Sequence, residues 1–135
     1  MKAYARLYQA VFRLILPRMP WRQPELIKGE GSVAGIGTAV KSYGVDRALL
    51  VSDPGLVRLG FVDQVREHLE KANVRVVVYD KTQANPTIDQ IEEALFLYRE
   101  GSCQGIVALG GGSPMDLAKA VGARIAMPNK SIPQL

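Results

Sequence analysis

Gln104-Gly105-Ile106-Val107-Ala108-Leu109-Gly110-Gly111-Gly112-Ser113-Pro114-Met115-Asp116-Leu117-Ala118-Lys119 is the stretch that decides the fold. Residues 104–109 form a short run rich in branched apolar side chains, as expected of a strand buried on both faces. Three glycines end it, and Pro114 to Ile125 then reads as a helix opened by Ser113. Proline suits the first helical position, where a missing N–H has no partner to lose.

Three consecutive glycines remove every Cβ from the turn, so backbone N–H groups can point into one concavity and meet an anion directly. The positive end of the following helix dipole favours the same charge. Ser113 either caps the helix or donates its hydroxyl to a phosphate oxygen. A bare glycine triplet also serves as a tight turn between closely packed elements. Neither the G-x-G-x-x-G dinucleotide fingerprint nor the Gly-Lys-Ser/Thr ending of a P-loop is present.

Upstream, the same alternation repeats. Arg47 to Ser52 and Val74 to Tyr79 read as strands, while Val62 to Ala72 and Thr87 to Arg99 read as helices. Ile88, Ile91, Ala94, Leu95 and Tyr98 make the apolar stripe of the second helix, with Thr87 at its N-cap or first turn. Strands alternating with helices predict an open, mainly parallel α/β sheet. Ligands of such a sheet bind at the carboxyl ends of the strands, here the turns after Ser52, Tyr79 and Leu109.

The N-terminus is different. Tyr4, Leu7, Tyr8, Val11, Leu14 and Ile15 fall on one helical face, and Pro17 and Pro20 end the pattern. Residues 1–23 are therefore expected to be an amphipathic helix and a Pro-rich linker, packing on this domain or a partner subunit, with attachment to a membrane surface as the alternative, and residues 24–135 an α/β domain. Lys2, Arg6, Arg13, Arg18 and Arg22 supply much of the net charge of +4, with no basic face interleaved with aromatics of the kind a nucleic-acid reader uses. The apolar run at 11–16 is too short to span a membrane and carries Arg13. With 47% apolar and 22% charged residues the composition is that of a globular protein. A single cysteine, Cys103, excludes an intramolecular disulfide framework and suits the cytoplasm.

The full string Gly-Gly-Gly-Ser-Pro-Met-Asp-Leu-Ala-Lys at 110–119 resembles the GGGS-x-x-D-x-A-K signature of the iron-containing (group III) alcohol dehydrogenases, whose fold is shared with glycerol dehydrogenase and dehydroquinate synthase. Leu49-Leu50-Val51-Ser52-Asp53-Pro54-Gly55-Leu56 resembles that family's second strand and following turn, and Asn85-Pro86-Thr87 its Asn-Pro-Thr segment. The resemblance runs from about Pro24 to Leu135 and implies a Rossmann-like, dinucleotide-binding N-terminal domain.

Carried over residue by residue, it places Gly111, Gly112 and Ser113 at a cofactor pyrophosphate and Asp116 toward the nicotinamide. Lys119 either holds a cofactor phosphate or pairs with Asp116 at i, i+3. Asn85 borders the site, and Asp53 faces the adenosine ribose. A carboxylate there accepts from ribose hydroxyls and repels a 2′-phosphate, so NAD is expected over NADP; the alternative is an Asp-Pro-Gly turn whose Asp bonds its own backbone.

Gly29 to Gly37, preceded by Leu26-Ile27, matches no fingerprint; the resemblance makes it the turn after a first strand, with a structural role. His68, the sole histidine, reads as a solvated helix residue and Cys103 as an inert, partly buried thiol.

The family binds a divalent metal, commonly iron, through an aspartate and three histidines beyond this segment. One histidine cannot assemble that set, so no catalytic or metal-ligating residue is expected here, and the sequence reads as a truncated product or fragment. The implied activity of the complete protein is metal-assisted, NAD-linked interconversion of a primary alcohol and an aldehyde. The alternatives are a non-catalytic nucleotide-binding or assembly module, or a relative of glycerol dehydrogenase or dehydroquinate synthase. A homo-oligomer is compatible with either.

Overall fold

The computed structural model describes residues 24–132. The helix expected at residues 4–16 therefore lies outside the described residues. Three parallel strands form the sheet: β1 (Arg47–Val51) at its centre, β2 (Arg75–Tyr79) and β3 (Gly105–Ala108) on either side. Leu49 is in register with Val77 on one side and Ile106 on the other.

Both faces of β1 are covered, which is why its sequence is a continuous apolar run rather than an alternation. Leu49 and Val51 pack on α4 (Ile88–Glu100) and α5 (Gly112–Ala126) through Ile91, Ala94, Leu95, Leu117 and Val121. Ala48 and Leu50 face the other way, onto Val62, Val65 and Leu69 of α3 (Phe61–Lys71). Leu49 and Leu50 are fully buried, each worth about 1.5–3 kcal/mol in surface removed from water.

The helix ends follow local chemistry. Thr87 caps α4 through a full capping box, its hydroxyl accepting from Gln90 N while the Gln90 side chain accepts from Thr87 N. A short helix, α2 (Pro54–Arg58), follows β1 where the sequence suggested only a turn.

Three expectations are corrected. Leu26 and Ile27 form no strand; they are 67% and 58% exposed, and none of the three strands of the sheet pairs with them. The Gly29 to Gly37 segment is not a plain turn: it leads through a 3-10 turn at Ser32–Gly35 into α1 (Ile36–Ser42). Gly37 has the structural role expected of that segment, since a Cβ there would lie 2.5 Å from the His68 carbonyl oxygen and force α1 off α3. His68, on α3, is half-buried against α1 and partly open to solvent. Third, α5 begins two residues earlier than expected, with Gly111 at the N-cap, so Ser113 does not cap it. Glycine tolerates that position without a side-chain acceptor, which leaves the Ser113 hydroxyl uncommitted to capping.

Cys103 is buried, and burial pushes its thiol pKa up, against a smaller opposing effect of Arg47. It is not an activated thiolate.

Candidate cofactor site

The carboxyl ends of the three strands are tied to one another at Ser52. Its N–H donates to the Tyr79 carbonyl at 2.8 Å, its own carbonyl accepts from Thr82 N at 3.3 Å, and its hydroxyl donates to the Leu109 carbonyl at 3.0 Å. Leu109 N donates to Val51 O at 2.8 Å. Ser52 is fully buried, so these bonds are sheltered from water and fix the three following turns relative to each other.

Those turns line an open cavity of about 560 Å³. Asp53, Pro54, Gly55 and Arg58 line it from the first turn, Thr82, Gln83 and Ala84 from the second, and Gly111, Gly112, Ser113 and Pro114 from the third. At Gly111 and Gly112 nothing lies within 4 Å of where a Cβ would stand, so the backbone itself is the open surface. Gly110 does the opposite work. Its φ is +142°, and a Cβ there would meet Pro114 Cγ at 2.7 Å, so this glycine folds the turn tightly onto the helix. The result presents the first N–H groups of the fifteen-residue α5 to the cavity.

Of the residues singled out in the sequence, Asp53, Gly111, Gly112 and Ser113 come together in this cavity. Asp53 also caps α2, with Oδ1 accepting from Gly55 N at 2.8 Å and Leu56 N at 3.1 Å. Asn85, Asp116 and Lys119 do not line it. Asn85 stands beside the lining residue Ala84, in the left-handed region at φ +56°, which asparagine tolerates. Asp116 and Lys119 form an exposed i, i+3 ion pair at 3.2 Å on α5.

Sequence reading missed Arg58, Thr82 and Gln83. Thr82 is 2% exposed and its Oγ1 has no hydrogen-bond partner among the described residues. Nothing in the local sequence marks it; only the crossover from β2 brings it beside Asp53. Arg58 sits five residues after Asp53, at the end of a short helix where the sequence suggested a turn.

A smaller cavity of about 230 Å³ lies near the amino ends of β1 and β3, against Val40, Tyr43, Val45 and Gly105, and no charged side chain lines it. Among the described residues no group of three or more His, Cys, Asp and Glu side chains could hold a metal ion, and the whole sequence has one histidine. The described residues do not fit a metal centre. No helix among the described residues is long and apolar enough to cross a membrane.

Comparison with known proteins agrees with the geometry. The sequence family described as "Iron-containing alcohol dehydrogenase" matches residues 23–134. "Choline dehydrogenase" of Bacillus subtilis is 44% identical over 100 residues, covering 73% of this chain and 25% of that protein. The structure of the iron-containing alcohol dehydrogenase of Thermococcus thioreducens superposes with a TM-score of 0.76 at 31% identity, over 83% of this chain and 29% of that one. The NADH-dependent butanol dehydrogenase A of Thermotoga maritima gives 0.75 at 28% identity, over 84% of this chain and 29% of that one. The chain thus spans about a quarter of the length of the curated relatives it matches. A glycine turn held open at the carboxyl edge of a parallel sheet, and a family match over the whole described region, place this chain in the iron-containing alcohol dehydrogenase family.

Proposed function

We propose that residues 24–135 supply the cofactor half of an NAD-linked oxidoreductase acting on a primary alcohol or aldehyde. The observation that carries the reading is the turn at Gly111 and Gly112, whose backbone is bare toward a cavity at the start of a fifteen-residue helix. Unpaired N–H groups and the positive helix end favour a pyrophosphate there. The Ser113 hydroxyl, free of capping, is available to a phosphate oxygen, and Asp53 offers its carboxylate to ribose hydroxyls. Asn85, Asp116 and Lys119, outside the cavity lining, are in this reading contacts of the nicotinamide-side and phosphate periphery.

NAD, when bound, accepts a hydride from the carbinol carbon of an alcohol. The chain's own residues hold the dinucleotide and orient it. The substrate class is supported by the relatives' names, since choline and butanol are both primary alcohols. A cytoplasmic location belongs to the same reading and rests on the single, buried thiol. A second reading, a nucleotide-binding module without turnover of its own, is favoured by the lone histidine.

The deciding experiment is a fluorescence titration of the chain with NADH, repeated on Gly111→Val. Saturable binding lost in a folded variant supports the proposal. Equal affinity in both proteins removes the glycine turn from the site.

A further inference from the structure

The cavity lining contains two charged side chains, Asp53 and Arg58. Both converge on Gly55. Asp53 Oδ1 lies 2.8 Å, and Arg58 Nη2 4.0 Å, from the point where a Gly55 Cβ would stand. They do not pair: Asp53 Oδ1 is taken by Gly55 N and Leu56 N, and Arg58 has no ion-pair or hydrogen-bond partner among the described residues. Arg58 is exposed, and its Nη2 lies back over Gly55, one helical turn before it.

An unpaired guanidinium beside a ribose-directed carboxylate has a specific use. A carboxylate alone selects NAD, because it accepts from the 2′-hydroxyl and repels a 2′-phosphate; an arginine nearby accommodates that phosphate. Its planar fork of donors matches phosphate oxygens two at a time. With one carboxylate and one guanidinium in the lining, the groove carries no net repulsion toward a phosphomonoester.

We propose that Arg58 is a cofactor-specificity residue that receives a 2′-phosphate, so that the chain accepts NADP as well as NAD. This rests on the cofactor reading of the groove given above.

The test is titration of the full chain with NADH and with NADPH, in the wild type and in Arg58→Ala and Arg58→Gln, with circular dichroism to verify folding. Arg58→Gln keeps the side-chain stem and serves if the alanine variant does not fold. The expected result is that the wild type binds both cofactors, and that loss of the guanidinium weakens NADPH by roughly tenfold or more while NADH stays within about twofold, as for the loss of a charge-assisted hydrogen bond. Unchanged NADPH affinity in the variant overturns the assignment, as does an equal loss for both cofactors. Wild-type binding of NADH without NADPH overturns it while leaving the cofactor reading intact. Binding of neither cofactor overturns both.

Discussion

The Ser52 hydroxyl donates to the Leu109 carbonyl at 3.0 Å across the carboxyl edge of the sheet, from a side chain with no exposed surface. This bond joins the end of the central strand to the residue that enters the glycine turn. Ser52→Ala should therefore lower stability by about 1–2 kcal/mol, the loss of a sheltered hydrogen bond plus the cost of a less satisfied carbonyl. Urea unfolding gives the value; a midpoint unchanged from wild type would mean the bond contributes nothing to holding the turn.

Two of the three glycines at the turn, Gly110 and Gly111, should separate cleanly on substitution. Gly110→Ala forces a Cβ to within 2.7 Å of Pro114 Cγ at a φ of +142°, and should cost about 1–3 kcal/mol of stability. At Gly111 a Cβ would meet no atom within 4 Å and φ is negative, so Gly111→Val should stay folded while NADH affinity falls more than about tenfold, or 1.4 kcal/mol. Thermal melts together with cofactor titrations distinguish the two effects, and a stable Gly110→Ala protein would contradict the packing.

Asp53 is both a helix cap and the proposed ribose partner, and substitutions can divide the roles. Asn is as good an N-cap as Asp but has no charge, so Asp53→Asn should leave stability within about 0.5 kcal/mol while shifting the affinity ratio toward NADP. Asp53→Ala should lose about 1 kcal/mol from the missing cap as well. An NAD to NADP ratio that is the same in Asp53→Asn and wild type would reduce Asp53 to its capping role.

Tyr79 gives the alkaline limit of stability. Burial first, then the charge and hydrogen-bond acceptance of Glu93, push its phenol from the ordinary value near 10 up to about 12. Between those two values the folded chain keeps a proton that the unfolded chain releases, so this contribution is fully present below pH 10 and is lost as pH rises through 12. Tyr79→Phe should flatten the fall in stability over that window, by on the order of 2 kcal/mol. Equal alkaline slopes in the two proteins would show that the phenol does not titrate as its burial requires.

Much of this was legible in the sequence, for identifiable reasons. Leu49 to Val51 and Val76 to Val78 lie in a sheet with cover on both sides, so their apolar runs survive without any alternation to confuse them. Thr87 announces a helix start because N-capping is a purely local bond pattern. The failures are of the opposite kind. The helix at Ile36–Ser42 hides behind glycines, of which Gly37 is there for contact with His68, a residue far along the chain. Pro54–Arg58 reads as a turn because its Asp-Pro-Gly opening is common to turns and short helices alike. Thr82 and Arg58 join the groove only through tertiary placement, which no spacing rule encodes.

The last prediction concerns turnover. The 135-residue chain, purified and supplied with iron or zinc, should form no metal-dependent NADH from short alcohols or diols above the rate of a metal-free control. A metal that assists hydride transfer needs several protein ligands fixed in space and one open position for substrate oxygen. This sequence offers one histidine and one cysteine. His68 is half-buried on α3 against α1, with its backbone carbonyl packed on Gly37, and Cys103 is enclosed in the core with its thiol held protonated by burial. Asp53 and Asp116 make no ligand cluster with them: Asp53 Oδ1 is taken by two backbone N–H groups, and Asp116 pairs with Lys119. In the proposed binding mode, a groove lined on one side by three turns would leave the nicotinamide end in water, where neither orientation nor exclusion of solvent lowers the barrier. Cofactor binding is expected to persist under the same conditions. The measurement is absorbance at the NADH band across a panel of alcohols, with and without metal; sustained metal-dependent turnover by this chain would require ligands that these residues do not provide, and would overturn the division of labour argued for the groove.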